Sequence, residues 1–133
     1  MNTILIIEDD AFLRELISKK LSSAGFTPLD AIDGETGLEK AREEKPSLIL
    51  LDLLLPVQDG FEVLSKLKQN PKTSSIPVII LSNLGQKEDV DKGLSLGASD
   101  YLIKAQFTPE EIIAKVKEAL EKNSNLPPAP EKE

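Results

Sequence analysis

The side chains of this sequence that could do chemistry are carboxylates, a lysine and a hydroxyl, and each directly follows a short apolar run. The runs TILII, SLILL, PVIIL and YLI are followed, in that order, by Glu8 with Asp9, Asp52, Ser82 and Lys104. The chain of 133 residues contains no His and no Cys, which excludes a Ser-His-Asp triad, a His-ligated zinc site and thiolate or disulfide chemistry. Oxygen ligands without imidazole or thiolate favour Mg²⁺.

Asp52 interrupts a run of Leu and Ile that otherwise indicates a buried segment. Taking a carboxylate out of water without partners costs on the order of several kcal/mol. Either the strand ends there and the side chain reaches water, or other groups gather to hold the charge. Several carboxylates at one place stay ionised only when a cation joins them or when their pKa values rise. A carboxylate, Mg²⁺, a lysine and a hydroxyl are together the parts needed for phosphoryl transfer onto the carboxylate itself.

Apolar runs and helical patterns alternate along the chain. The runs that predict strands are TILII (3–7), FTPLDA (26–31), SLILL (47–51), PVIIL (77–81) and YLI (101–103). Three of them are apolar without alternation, which is typical of parallel strands covered on both faces. Pro28 in the second run predicts an edge strand. Apolar spacing and turn signals predict helices over 11–24, 34–44, 60–69, 85–96 and 108–122.

Capping residues mark three of the helix starts. We interpret Asp10 and Asp59 as N-caps rather than as site residues, and the segment TPEE at 108–111 predicts a capping box. The helix over 85–96 contains Gly85 and Gly93. It should be marginal, because an interior Gly costs about 1 kcal/mol relative to Ala.

Five strands that alternate with five helices predict an α/β fold, a doubly wound five-stranded parallel sheet with right-handed crossovers. Ligands of such sheets bind beyond the carboxyl ends of the strands, at the topological switch point. The polar residues that follow the strands should therefore share one edge. We expect Asp52 to be the last residue of its strand and to point into an acidic cluster.

Composition sets further limits. The length indicates one domain, which we assign to residues 1–122, followed by a disordered tail or linker over 123–133. The net charge of −7 argues against nonspecific nucleic-acid binding, and we expect no direct contact with nucleic acid. The longest apolar run is too short for a membrane span, and the N-terminus lacks a signal peptide. We therefore expect a cytoplasmic protein that does not contact a membrane.

Four segments together resemble the receiver domain of two-component response regulators, of the stand-alone, chemotaxis-regulator-like type. They are ILIIEDDAFLRELI, LILLDLLLPVQDGFEVL, PVIILSN and GASDYLIKA, and the resemblance covers about residues 3–121. Each motif alone is weak, but four in this order and spacing are highly specific. The resemblance implies the flavodoxin-like fold with strand order 2-1-3-4-5.

The resemblance also implies the roles of the site residues. Asp52 would accept a phosphoryl group from a phosphohistidine on a sensor histidine kinase or a histidine phosphotransfer protein. The implied holders of Mg²⁺ are Glu8, Asp9, Asp52 and the backbone carbonyl of Leu54, with Asp9 binding directly and Glu8 through water. Lys104 would pair first with Asp52 and then with the phosphoryl group.

Two further residues would carry the response. Ser82 would donate a hydrogen bond to the phosphoryl oxygen, and Tyr101 matches the aromatic position that changes rotamer. Phosphorylation would shift a two-state equilibrium on the face formed by the last two helices and the last strand, where a downstream protein binds. The protein would be a monomer or a phosphorylation-dependent dimer. It would catalyse only its own phosphoryl transfer and slow dephosphorylation, and would not be an enzyme otherwise.

This sequence departs from the family pattern at several site positions. Ala105 replaces the Pro that the family joins to its lysine by a cis bond, so the loop must relax to trans or bear strain, since a non-Pro cis bond costs about 3–4 kcal/mol. Asn83 stands where the family favours a small residue such as Ala. Leu54 and Leu84 occupy positions that tune the attacking water, and neither can orient water by hydrogen bonding. We therefore predict slow self-dephosphorylation.

Two other functions remain open. A pseudo-receiver would use the same fold as a constitutive protein-interaction module, although such a protein has no reason to keep the acidic, hydroxyl and lysine positions together. A Mg²⁺-dependent phosphatase with an Asp nucleophile often carries a second Asp two residues later, where this chain has Leu54.

Overall fold

The strands of the protein form one parallel sheet. The computed structural model describes residues 2–125, with side chains through Lys122. The strands are β1 (Thr3–Ile7), β2 (Thr27–Ala31), β3 (Leu48–Leu51), β4 (Val78–Ser82) and β5 (Asp100–Ile103). Their order is β2-β1-β3-β4-β5, which confirms the predicted fold class and strand order and the edge position of β2. Between β1 and β3 the order reverses, so the sheet has its switch point there.

Five helices connect the strands. They are α1 (Ala11–Ser23), α2 (Gly34–Glu44), α3 (Gly60–Gln69), α4 (Lys87–Ser95) and α5 (Pro109–Asn125), and a short 3-10 helix spans Lys104–Gln106. The expected start of the fourth helix at residue 85 is wrong, because α4 begins at Lys87 after a cap, Gln86, whose side chain makes no capping bond. Helix α5 continues past 122 to Asn125. The rest of the predicted tail, 126–133, lies outside the described residues.

Two apolar layers hold the helices to the sheet. Neighbouring strand residues point to opposite faces. Ile4 and Ile6 pack with Ile17 and Leu21 of α1 and with residues of α5, while Leu5 packs with residues of α2 and α3. Because both faces are covered, all side chains of β3 are buried, as the unbroken apolar runs predicted.

The predicted caps are found at the starts of three helices. The Asp10 carboxylate accepts hydrogen bonds from the backbone N–H groups of Phe12 and Leu13, at 3.0 and 3.2 Å. Asp59 accepts from the N–H of Phe61 at 2.9 Å. The capping box at the start of α5 is also confirmed, with reciprocal bonds of 2.8 and 3.1 Å between residues 108 and 111. Local capping by side chains thus fixes where these three helices begin.

Close approach also tightens the segment after β3. A Cβ atom on Gly60 would lie 2.3 Å from the Cα atom of Leu53, so only glycine permits α3 to start against this segment. An isolated antiparallel bridge pairs Leu54 with Asp59. Together these contacts hold the loop that leaves the sheet directly after Asp52.

In the described part of the chain, no helix combines the length and the apolar character needed to cross a bilayer.

Candidate functional site

The polar residues predicted at the strand ends lie at or just past the carboxyl edge of the sheet. Ser82 is the last residue of β4, whereas β3 ends at Leu51 and β5 at Ile103. The expectation that Asp52 ends its strand is therefore wrong by one residue. Its backbone N–H still donates to the carbonyl of Ile7 at 3.0 Å, so the hydrogen bonding between the strands continues to Asp52 although the extended strand has ended.

Three carboxylates meet at this edge, as predicted. Oxygen atoms of Glu8, Asp9 and Asp52 all lie within 4.8 Å of one another. Glu8 and Asp52 are only 2% and 3% exposed, while Asp9 is exposed. Carboxylate oxygens with one open, solvent-facing member fit Mg²⁺, which keeps several waters and binds one or two carboxylates. The donor set therefore suits a divalent cation of this kind.

Lys104 lies between the two buried acids. Its Nζ atom is 2.8 Å from Oε1 of Glu8 and 2.9 Å from Oδ2 of Asp52. Burial disfavours the ammonium, but the hydrogen bonds to both carboxylates outweigh burial and raise the pKa of Lys104. The lysine is thus held charged where two negative groups need a partner.

Backbone N–H groups satisfy the remaining oxygens of the buried acids. The N–H of Leu54 donates to Oδ1 of Asp52 at 3.1 Å, and the N–H of Asp10 donates to Oε2 of Glu8 at 3.1 Å. Burial and the charge of Asp52 nevertheless raise the pKa of Glu8, against the opposing effect of Lys104. One ammonium and two backbone donors therefore hold both side chains in place.

Ser82 and Tyr101 are linked through Leu84. The Ser82 side chain is fully buried, and its Oγ accepts a long hydrogen bond of 3.4 Å from the N–H of Leu84. The Tyr101 hydroxyl donates to the carbonyl of Leu84. Burial, together with the charges of Asp89 and Asp52, raises the pKa of Tyr101 to about 12. The structure thus connects the strand-end hydroxyl to the aromatic residue, and the switch role of both stays a prediction.

The peptide bond between Lys104 and Ala105, after β5, is trans. The described chain contains no cis peptide bond, and Lys104 and Ala105 belong to the short 3-10 helix. Of the two outcomes expected where proline is missing, the trans bond is the one found. Lys104 reaches both carboxylates with this backbone.

Sequence reasoning missed Arg14. Its Nη1 donates to the backbone carbonyl of Glu8 at 2.8 Å, and its Nε lies 3.6 Å from Oδ2 of Asp30. Arg14 stands four residues after the cap of α1, where a cation opposes the helix dipole. That unfavourable placement was the available signal that the arginine has a partner outside the helix.

Exposed apolar side chains near the acids were also missed. They include Phe12, in the first turn of α1, and Leu54 and Val57, in the segment between Asp52 and α3. Val57 is fully exposed and has a φ of 70°, which a β-branched residue rarely adopts.

Comparison with known proteins gives consistent matches. Residues 4–117 match the family model described as the response regulator receiver domain. The DNA-binding dual master transcriptional regulator RpaA of a Synechocystis strain is 42% identical over 129 residues, which cover 97% of this chain and 53% of that protein. The chain thus spans about half the length of this curated relative.

Two solved structures are similar over nearly the whole fold. The CheY-like receiver domain protein of Methanospirillum hungatei has a TM-score of 0.87 at 27% identity, covering 93% of this chain and 97% of that one. The Mn²⁺-bound form of response regulator Rcp1 has a TM-score of 0.74 at 31% identity, covering 83% and 86% of the two chains.

These relatives correct one expectation. From the acidic net charge we expected no direct contact with nucleic acid, and that exclusion is wrong as a rule for proteins of this kind, because RpaA is a DNA-binding regulator. This chain matches only about half of RpaA, and its net charge says nothing about the charge of the other half. The net charge of this chain is therefore no argument against DNA binding by a protein of this family.

Proposed function

The chain belongs to the response regulator receiver family, and from this membership we propose that it is a phosphoryl-accepting signalling switch with Asp52 as the acceptor. The observation that carries the proposal is the surroundings of Asp52. Its carboxylate lies 2.9 Å from the Lys104 ammonium and within 4.8 Å of carboxylate oxygens of two further acids. A buried carboxylate beside a cation and metal-binding acids is equipped for phosphoryl transfer onto itself.

The proposed donor is a phosphohistidine. An oxygen of Asp52 attacks the phosphorus, the P–N bond breaks, and its electron pair returns to the imidazole nitrogen, which takes up a proton. The product on this chain is an acyl phosphate. In this structure the Lys104 ammonium donates a hydrogen bond to Asp52. After the transfer it would donate to an oxygen of the phosphoryl group and offset the negative charge of that group.

We propose Mg²⁺ as the cofactor of this transfer. Its proposed holders are Glu8, Asp9, Asp52 and the backbone carbonyl of Leu54. When bound there, the ion would supply positive charge to offset that of the phosphoryl group. The similarity to Rcp1, whose solved structure is a Mn²⁺-bound form, supports the proposal that this chain binds a divalent cation.

The proposed partner upstream is a sensor histidine kinase or a histidine phosphotransfer protein. Exposed apolar residues on the segments after the acids support docking here. Phe12 follows the first acidic segment, and Leu54 and Val57 follow Asp52. Single exposed apolar side chains are normal, but several beside one reactive group favour a contact surface.

The proposed output is a change on the face formed by α4, β5 and α5. When the Ser82 hydroxyl turns to a phosphoryl oxygen, it gives up its bond to the N–H of Leu84. The carbonyl of Leu84 accepts a hydrogen bond from the Tyr101 hydroxyl. Movement of Leu84 would therefore change the hydrogen bond that holds the tyrosine side chain. The switch thus shifts a two-state equilibrium in which a downstream protein prefers one state.

We further propose that the protein turns over no external substrate. Apolar side chains at Leu54 and Leu84 give the attacking water no hydrogen-bond partner, so loss of the phosphoryl group should be slow.

Incubation with acetyl phosphate and Mg²⁺ tests the proposed function. Intact mass spectrometry should show one added phosphoryl group on the wild type and none on Asp52→Ala. Asp10→Asn is the matched control, because Asn caps helices as well as Asp does, and this variant should be labelled like the wild type.

Two outcomes would contradict the proposal. A wild-type chain that takes up no label would instead support a constitutive interaction module. Repeated turnover of a phosphomonoester would support a phosphatase.

A further inference from the structure

Besides Lys104, a second cationic side chain, Arg14 of α1, contacts Glu8. Its Nη1 donates to the carbonyl of Glu8 at 2.8 Å, and its Nε faces Asp30 of β2 at 3.6 Å. The Glu8 carbonyl belongs to the planar peptide unit that leads into Asp9. Holding this oxygen therefore fixes the plane from which the Asp9 side chain projects.

Asp9 has few other constraints. Among the residues whose side chains the structure describes, 2–122, none donates a hydrogen bond to its carboxylate or forms an ion pair with it, and Asp9 is the exposed member of the cluster. Glu8 and Asp52, by contrast, each bond to Lys104 and to a backbone N–H. The direction of Asp9 thus depends on its backbone.

On the far side of this peptide the backbone is already anchored. The N–H of Glu8 donates to the carbonyl of Ala31 at 3.0 Å, which continues the pairing of β1 with β2. Arg14 donates a hydrogen bond to the carbonyl of Glu8, so both backbone polar groups of Glu8 are bonded. Asp30, adjacent to Ala31, faces the same guanidinium and orients it.

We propose that Arg14 is a positioning residue for divalent-cation binding: through the Glu8 carbonyl it aims the Asp9 carboxylate at the point where Glu8 and Asp52 meet. This inference rests on the proposed Mg²⁺ role of the acidic cluster. Residues that orient metal ligands without touching the metal commonly affect metal affinity in this way.

If Arg14 acted only through its charge, its removal would change the Mg²⁺ affinity in the opposite direction. A guanidinium near a cation site repels the cation, so removing it would tighten metal binding if charge were its whole effect. Removing a positioning residue weakens binding instead. The sign of the change therefore separates the two roles.

Calorimetric titration of the metal-free protein with MgCl₂ is the experiment. Arg14→Gln should bind Mg²⁺ about 10-fold more weakly than the wild type, in the range seen for groups that orient metal ligands. Arg14→Lys, which can donate to the carbonyl but does not reproduce the fork, and Asp30→Asn should give smaller losses. Lys19→Gln is the matched control, because Lys19 is an exposed cation of the same helix, and its affinity should stay within about twofold of wild type.

A structural role alone predicts another result. If Arg14→Gln only unfolds part of the sample, the number of sites per chain falls while the affinity of the folded fraction stays unchanged, and that result overturns the proposal. Unchanged or tighter binding by folded Arg14→Gln also overturns it. Should this variant fail to fold by circular dichroism, wild-type affinity in both Arg14→Lys and Asp30→Asn would overturn it equally.

Acetyl phosphate labelling keeps this test separate from the proposed function. A wild type that binds Mg²⁺ but takes up no phosphoryl group contradicts the proposed function, and the affinities still decide the role of Arg14. In a functional protein, Arg14→Gln should need about 10-fold more Mg²⁺ for half-maximal labelling and should reach a similar rate at saturation.

Discussion

Lys104 is one ammonium shared by two buried carboxylates. Its Nζ atom contacts Glu8 at 2.8 Å and Asp52 at 2.9 Å, so it offsets in part the repulsion between the two carboxylates. The ammonium of Lys104 thus contacts carboxylates that a divalent cation would also bind. In the proposed function, Lys104 and a bound Mg²⁺ would therefore compete for the carboxylates before phosphorylation, and both would offset the charge of the phosphoryl group afterwards.

Lys104→Gln should bind Mg²⁺ severalfold more tightly, because a competing cation is gone. It should be labelled by acetyl phosphate about 100-fold more slowly, the usual cost of removing one donor to a developing charge. Calorimetry and timed mass spectrometry measure the two effects, with Lys19→Gln as the reference. A lysine that served only for stability would leave the labelling rate of the folded variant unchanged.

Tyr101 provides a test of pH dependence. Its pKa is raised to about 12, above the value near 10 of an unfolded chain, because burial and two carboxylates disfavour the phenolate. The stabilisation from its neutral hydroxyl is therefore complete below about pH 10 and is lost as the pH rises to about 12. We expect urea unfolding of the wild type and Tyr101→Phe to differ near neutral pH and to converge across this window.

The titration itself has a direct readout. The chain contains a single Tyr, so the ultraviolet absorbance of phenolate reports on Tyr101 alone. A midpoint near pH 10 in the folded protein would contradict the half-buried, hydrogen-bonded position of Tyr101.

At the scale of elements, the loop after β3 and the helix α4 are the parts in which local preference and structure disagree. The loop holds Val57 in a left-handed conformation with its side chain fully exposed. Helix α4 carries Gly93 at a buried position, against Ile80 and the Tyr101 ring. The Val57 side chain thus gains no burial in return for its left-handed backbone, whereas Gly93 makes room for the tyrosine ring.

Val57→Asn should stabilise the protein by roughly 1 kcal/mol, because Asn tolerates the left-handed region better than a β-branched residue does. Val57→Ala, which keeps a Cβ atom but lacks the branch, should gain less. Urea unfolding measures both changes. Equal or lower stability of the Asn variant would mean that the native loop does not hold this conformation.

Gly93→Ala should destabilise the protein, although in an exposed helix the same change gains about 1 kcal/mol. The new Cβ atom would lie 2.6 Å from Cδ1 of Ile80 and 3.0 Å from Cδ2 of Tyr101. Overpacking of this kind costs about 1–3 kcal/mol. In an Ile80→Val background, which lacks the nearest atom, the loss should shrink, and an equal loss in both backgrounds would argue against this contact.

For the molecule as a whole, the parallel sheet collects distant acids at one edge. Residues 8, 52, 82 and 104 come from four different strand ends, and the strand order places β1 and β3 side by side. The chain has a net charge of −7, and three carboxylates share this edge. Folding therefore gathers three carboxylates that could hold a cation, an arrangement that the unfolded chain lacks.

Mg²⁺ should stabilise the folded protein through this linkage, by about 2.7 kcal/mol at a concentration 100 times the dissociation constant. Asp9→Asn should lose most of this gain, whereas Asp10→Asn, with the same change of charge at the next residue, should keep it. Thermal unfolding with Mg²⁺ and with a chelator measures the effect. An equal response of both variants would show that the ion binds elsewhere or nonspecifically.

Much of the fold followed from local pattern. Apolar runs placed the strands, Asp10 and Asp59 identified two helix starts, and the motifs together implied the strand order that the sheet has. These features depend on neighbouring residues, so a sequence window contains their causes. The start of α4 was misplaced, because no side chain caps it and the pattern there is weak.

Contacts that side chains make with other packed elements could not be predicted in this way. The sharing of Lys104 between two acids, the bond from Arg14 to the Glu8 carbonyl and the fit of Gly93 against the Tyr101 ring required the packed molecule. Residue types and strand ends indicate which groups come near one edge. Which atom pairs with which depends on angstrom-scale distances between elements, and these exist only once the sheet and its helices have packed.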